Sequence, residues 1–175
     1  MELTGIHHLT AISATRPANH IVLTSVWRRP GSKPHAVCDW RLNVEVVIST
    51  PDGVVLVKRD IEPCKGQWHL PGGTVRFAEP LPSAVQRVAW DELSVKVQVG
   101  ELIGYIEYPQ MLADGYAGWP VGFAFAATVT DGVFTGGDQG RDIDCFRTAP
   151  VNTIVEQARF LTAHGLTTPG LAPAR

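Results

Sequence analysis

The sequence predicts an α/β fold, a three-layer α/β/α sandwich with a mixed β-sheet. Two observations lead there. Runs rich in Val and Ile alternate with turn signals along residues 42–130, and helical patterns stand at 80–93 and 152–164. Strands and helices are mixed without strict strand–helix–strand alternation, which argues for a mixed sheet covered by helices on both faces.

The elements follow in order. Residues 42–49 form a β-branched-rich strand. Pro51-Asp52-Gly53 is a turn in which proline presets φ and glycine tolerates positive φ. Residues 54–58 are the return strand, so the pair makes a hairpin. A short extended segment over 66–70 runs into Pro71-Gly72-Gly73. A helix over 80–93 accommodates Pro80 and Pro82 because both fall in its first turn. Strands are expected over 95–99 and 102–107, then a loop over 108–119 rich in glycine and aromatic residues. A buried strand spans 121–130 and ends at Asp131-Gly132; a short one spans 143–146. The helix over 152–164 puts Ile154, Ala158 and Leu161 on one face, with Gly165 as its cap. The division is an N-terminal extension over 1–39, one domain over 40–165 and a frayed tail over 166–175. The extension carries a strand expectation at 5–13 and an exposed loop at 30–35.

Bulk properties narrow the function. The chain has 175 residues, 45% hydrophobic and 18% charged, which suits one domain with its own core. A formal charge of −2 favours neither nucleic acid nor an acidic membrane as partner. Cys38, Cys64 and Cys145 make no disulfide framework and no Cys-x-x-Cys pair; they read as reduced, buried small hydrophobes of a cytoplasmic protein. No apolar run reaches the ~18 residues of a membrane span, and the N-terminus lacks the pattern of a signal peptide.

Chemistry concentrates in Gly66-Gln-Trp-His-Leu-Pro-Gly-Gly-Thr-Val-Arg-Phe-Ala-Glu79 and in Arg87, Asp91 and Glu92. Pro71-Gly72-Gly73 is a tight loop that leaves backbone groups open to a ligand. Glu79 and Arg87 lie just over two helical turns apart, so Glu79 can brace the loop through Arg87; Arg87 and Asp91 are an i,i+4 pair. Carboxylates facing a glycine-rich loop suit magnesium, which takes oxygen ligands and shares substrate phosphates.

This stretch resembles the Nudix box, G-x5-E-x7-R-E-U-x-E-E-x-G-U, with U a bulky aliphatic residue. Gly73, Glu79, Arg87, Glu92 and Val95 match, and Asp91 stands in for a glutamate. Val88, Ala89 and Ser94 depart from the pattern. Loss of the glutamate at position 88 makes the chain similar to the GDP-mannose mannosyl hydrolase branch. That resemblance implies a nucleotide sugar as substrate and one Mg²⁺, held by the Gly72 carbonyl, Glu92 and Gln139. The branch has a histidine base where this chain has Gly140, and an arginine where it has Thr74. Asp138 or Asp142 would then be alternative bases, although both also read as ordinary loop residues.

Arg59, Trp68, Gly73 and Arg76 are candidate substrate-binding residues, and Glu92, Asp91, Arg87 and Glu79 candidate catalytic ones. Tyr108, Tyr116 and Trp119 either stack on a base or sugar or pack their loop, and His69 reads as a surface residue. The resemblance implies a homodimer. Three readings stay open: hydrolysis of a nucleotide sugar, ordinary pyrophosphate cleavage, and a binding module that has lost catalysis. Separately, Gly5-Ile-His-His-Leu-Thr-Ala-Ile-Ser13 resembles the first strand of glyoxalase-type proteins, in which a histidine at the position of His8 binds metal.

Overall fold

Strand β1 (Trp40–Thr50) alternates in burial chemistry, and that alternation builds the two cores of the molecule. Val44, Val46 and Ile48 enter one apolar cluster, whereas Val47, offset by one residue, enters the other. The computed structural model describes residues 40–113, 118–137 and 140–168. The N-terminal extension, with its histidine pair, its expected strand and loop and Cys38, lies outside them.

β1 turns through Pro51 and Asp52 into β2 (Gly53–Lys58), and the expected hairpin is present, with Ser49 opposite Val54. β3 (Trp68–His69) pairs with the end of β2, and β4 (Gly72–Thr74) pairs with the beginning of β1. The helix α1 (Leu81–Leu93) starts after Pro80, which sits at φ −61° and ψ 141°, as an extended N-cap. It ends on Ser94 in the left-handed region, φ 58°, where a glycine would be free of strain. Strand β5 (Val95–Glu107) then runs to the short helix α2 (Pro109–Ala113), followed by β6 (Trp119–Gly132), β7 (Ile143–Phe146) and α3 (Val155–Ala163).

The sheet is mixed. Its main path is β3-β2-β1-β6-β5, with β4 on β1 and β7 on β2. β1 and β6 run parallel from Trp40 opposite Trp119 to Ile48 opposite Ala127; among the described residues the other strand pairings are antiparallel. Ala84, Val85, Val88, Ala89 and Leu93 of α1 pack on Val44, Val46 and Ile48. Phe160 and Leu161 of α3 join Val47, Val54 and Leu56 on the opposite face. This is the α/β/α sandwich expected.

Four local expectations change. The strands expected over 95–99 and 102–107 are one strand, β5, whose register against β6 shifts between Val99 and Leu102, as a bulge does. The loop expected over 108–119 contains α2. The last helix begins at Val155 rather than at 152. Asn152 lies in a turn and Thr153 bridges Trp68 instead, since Trp68 N–H donates to Asn152 O at 3.0 Å and Ile154 N–H to Trp68 O at 2.9 Å. Residues 166–168 are not frayed: Leu166 N–H donates to Leu161 O at 2.9 Å, and Thr168 N–H to Arg147 O at 2.8 Å. Cys64 and Cys145 are half-buried against the two cores rather than fully enclosed.

Leu161 is fully buried, and its carbonyl anchors the chain after α3. Leu161→Ala is expected to cost about 2–5 kcal/mol, read as a lower midpoint in urea at unchanged slope. A loss below about 1 kcal/mol would mean that α3 contributes little to this core.

Candidate active site

The site forms where α1 meets the loop that joins β3 to β4. Glu79 accepts two hydrogen bonds from Arg87, from Nε at 2.7 Å and from Nη2 at 2.8 Å, and a third from the Arg76 N–H at 2.8 Å. Arg87 also donates to the Thr74 carbonyl at 3.1 Å. This forked latch ties the segment between β4 and α1 to the helix. The Arg87 hydrogen bonds hold the Glu79 carboxyl down at about 2. Asp91 lies on the same side of α1, exposed, 3.6 Å from Arg87.

One turn beyond Arg87, Glu92 faces inward. It is 4% exposed, and the Gly72 N–H donates to its Oε2 at 3.2 Å. Burial pushes its pKa up to about 8, against the lowering effects of that N–H and of Arg59. Val88, where the box has a glutamate, is 2% exposed and packs in the core beside Gly73. The helix thus meets the loop through an apolar contact at that position.

Sequence reasoning missed a second buried carboxylate, Glu45 of β1, 5% exposed. It lies directly across from Gly72 in the β1–β4 register. Its side chain fits because two neighbours lack a Cβ: one built on Gly72 would lie 2.2 Å from Glu45 Oε2, and one on Gly122 2.4 Å from Oε1. Tyr108 Oη donates to Glu45 Oε1 at 2.6 Å, and Gln157 Nε2 donates to Tyr108 Oη at 2.9 Å and Glu45 Oε2 at 3.4 Å. Gln157 in turn accepts the Leu70 N–H at 2.7 Å. Burial raises the Glu45 pKa to about 8 in spite of the Tyr108 hydrogen bond, and the nearby Glu92 adds to the rise. The only available sequence signal was a single acidic residue inside an apolar strand.

Glu45, Gly72, Tyr108 and Gln157 line a cavity of about 140 Å³, together with Asn43, Arg59, His69, Gly73 and Thr74; Glu92 lies behind the glycine loop and is not part of the lining. Of the candidates for substrate contact, Arg59 and Gly73 reach it. Trp68 does not: it packs edge-on against Phe146, ring centroids 4.8 Å apart. Arg76 is exposed and contributes its backbone N–H to Glu79. His69, read as a surface residue, is 3% exposed and lines the cavity. β3 does alternate, with the opposite facing: the tryptophan goes to the core and the histidine to the cavity. Tyr108 is buried on Glu45 rather than open for stacking, Trp119 is half-buried with its indole N–H on Glu107 at 3.3 Å, and Tyr116 lies outside the described residues.

Gln139 and Asp138 also lie outside the described residues. Their flanks are placed. Gly137 abuts the backbone of Asp91 and Glu92, and a Cβ on Gly140 would lie 2.1 Å from the Lys58 carbonyl. No side chain fits at position 140 in this conformation, so a histidine there is excluded by backbone packing. Asp142 is exposed and 3.8 Å from Lys58.

The donor set fits a hard cation. A desolvated carboxylate, Glu92, touches the glycine loop, and a second, Glu45, lies within electrostatic reach. No group of three or more His, Cys, Asp or Glu side chains forms a cage among the described residues. Glu92 and Glu45 supply oxygen donors of the kind magnesium takes, with water and phosphate oxygens as the usual further ligands.

Comparison with known proteins gives the family of the chain. The NUDIX domain profile matches residues 39–163, and the chain belongs to that family. It is 42% identical over 67 residues to the low-salt glycan biosynthesis protein Agl8 of Haloferax volcanii, covering 38% of this chain and 43% of that one. It is 28% identical over 103 residues to the ADP-ribose pyrophosphatase of Methanocaldococcus jannaschii, covering 59% of each. The chain thus spans about half the length of these relatives. The MutT protein of Methanosarcina mazei Go1 shares the fold, with a TM-score of 0.61 at 17% identity over 71% of this chain and 92% of that one.

Two predictions follow from the electrostatics. Arg87→Ala leaves Glu79 with the Arg76 N–H alone and should cost about 1–3 kcal/mol in urea unfolding, with Arg87→Lys recovering little because lysine lacks the fork. An effect within about 0.5 kcal/mol would show that the latch is not a stabilising contact. Second, Glu45 and Glu92 bind protons more tightly in the fold than in the unfolded chain, from 4.5 up to about 8. The folded state then holds more protons, so stability without metal falls as pH rises across that window. Urea midpoints measured between pH 5 and 8 should decline, and Glu92→Gln should flatten the decline; an unchanged slope in Glu92→Gln would contradict the assignment.

Proposed function

We propose that the protein is a magnesium-dependent hydrolase of a nucleoside diphosphate derivative, with a nucleotide sugar as the substrate class. The observation that carries this reading is the pair of buried carboxylates, Glu45 and Glu92, beside the glycine loop and the Arg59 guanidinium. Two desolvated acids facing one arginine suit a site completed by a divalent cation and a diphosphate. Family membership supports hydrolysis, and the Agl8 relative, named for glycan biosynthesis, supports a sugar-bearing substrate.

Roles follow from position. Glu92 and the Gly72 carbonyl would hold the metal, with Gln139 as the further ligand that the branch resemblance implies. The cation would neutralise the diphosphate and polarise the bond that breaks. Glu79 and Arg87 keep the loop at a fixed height above α1. Arg59 takes the phosphate charge at the cavity wall. Asp91, exposed on α1 beside Arg87, does not line the cavity.

A specific observation favours a second reading, conventional cleavage at phosphorus. The backbone at Gly140 leaves no room for the histidine base of the sugar-releasing branch. The archaeal relative named as an ADP-ribose pyrophosphatase supports the same chemistry.

Incubation with Mg²⁺ and GDP-mannose, ADP-ribose or nucleoside triphosphates, followed by product identification, decides between them. Nucleoside diphosphate plus free sugar means attack at carbon; nucleoside monophosphate plus sugar phosphate means attack at phosphorus. Glu92→Gln should lower turnover by more than about 100-fold and weaken magnesium binding. Binding without turnover across the whole panel would leave a ligand-binding module and remove the enzyme reading.

A further inference from the structure

A second cavity adjoins the first. Met111 and Ile154 line both, and the second, of about 330 Å³, continues past them to Gln67, Gln110, Val155 and Glu156. The first cavity, at about 140 Å³, is smaller than the roughly 300–1,000 Å³ of small-ligand pockets. A nucleoside diphosphate derivative held at the glycine loop and Arg59 therefore extends beyond it, and the second cavity is the adjoining space.

The chemistry of the second cavity indicates which part of such a ligand it takes. Among the described residues its lining carries no cationic side chain and one carboxylate, Glu156, so it is unsuited to phosphate. Met111, Ile154 and Val155 supply apolar surface, and Val155 is 43% exposed. Apolar walls that include a thioether suit the face of a flat aromatic ring. They suit a sugar poorly, because each enclosed hydroxyl needs its own partner. The flat ring that a nucleotide provides is its base.

Glu156 is placed to read the edge of that base. It is half-buried in the first turn of α3, and its Oε1 accepts the Gln110 N–H of α2 at 3.2 Å. A carboxylate offers about four acceptor sites, so this bond leaves Oε2 for a ligand. The charge of Glu156 also reaches the first cavity. Burial and Glu45 hold the Tyr108 hydroxyl well above its ordinary pKa, and Glu156 adds to the rise. A carboxylate is matched best by two parallel donors. Among the common bases guanine alone presents them, N1–H and N2–H on one edge. Adenine and cytosine set a bare ring nitrogen beside the amino group, and uracil flanks its N–H with two carbonyls. In each of these a lone pair faces the second carboxylate oxygen.

We propose that the second cavity is the nucleobase subsite and that Glu156 makes it selective for guanine by accepting N1–H and N2–H. This rests on the reading of the first cavity as a site for a nucleoside diphosphate derivative.

The test measures binding of GDP, ADP, UDP and inorganic pyrophosphate to the whole protein by calorimetry, with calcium in place of magnesium to slow turnover. GDP should bind about 10-fold or more tightly than ADP or UDP. Glu156→Gln keeps a carbonyl for the Gln110 N–H but sets an amide against the base. An amide pairs at two points with adenine, so this variant should lose the GDP preference and bind ADP at least as tightly as GDP. Val155→Trp, which fills the cavity, should weaken GDP by about 10-fold and leave pyrophosphate binding as it was. If Glu156→Gln weakens all three nucleotides by the same factor, the residue is only structural and the inference is overturned. Equal binding of the three by the unaltered protein, or a preference for ADP or UDP, overturns it too and leaves the proposed function standing. GDP binding unchanged in Val155→Trp overturns the placement of the base. Failure of every nucleotide to bind overturns the proposed function itself, and the inference with it.

Discussion

The site depends on one buried carboxylate. Glu45 sits on the central strand β1, and its two oxygens occupy space that a Cβ on Gly72 or Gly122 would need. Enclosing a carboxylate in this way is unfavourable, and its pKa rises to about 8 as a result. The structure offsets the cost with Tyr108 and Gln157, two donors from different elements. Because Gln157 also receives the Leu70 N–H, α3, β1 and the strand that leads into the glycine loop share a single polar network. A fully satisfied network of this kind fixes the relative positions of its members more sharply than apolar packing does.

Helix α1 governs the loop from the other face. Its middle holds Arg87, latched to Glu79; its last turn presents Glu92 to Gly72. Between them Val88 closes the core against Gly73, at the position where the family pattern carries a further acid. The helix therefore offers one buried carboxylate and one exposed one, and the second buried carboxylate comes from β1. The acidic equipment is spread across two faces of the loop rather than confined to one helix. That distribution explains why the helix signature alone understates the site.

Legibility in the sequence tracked the range of the interactions. Glu79 with Arg87 was readable because helical spacing turns an eight-residue separation into a contact. The β1–β2 hairpin was readable because Pro51-Asp52-Gly53 encodes its own turn. Glu45, Tyr108 and Gln157 were not, since their contacts span 63 and 112 residues and no local pattern records such partners. β3 shows the boundary between the two cases. Alternation placed Trp68 and His69 on opposite sides, but only the packing of Phe146 decided which side was the core.

The sequence by itself determined the class of the fold, the order of its elements and the brace between loop and helix. Each rests on periodicity, turn chemistry or short spacing, which act along the chain. The tertiary structure decided the rest: which side of β1 and β3 faces the cavity, that Thr153 bridges Trp68 before α3 begins, and that Gly140 abuts Lys58 too closely for any side chain. These outcomes depend on how separate elements approach one another. A close backbone contact or a shared buried carboxylate exists only once the sheet has brought distant residues together.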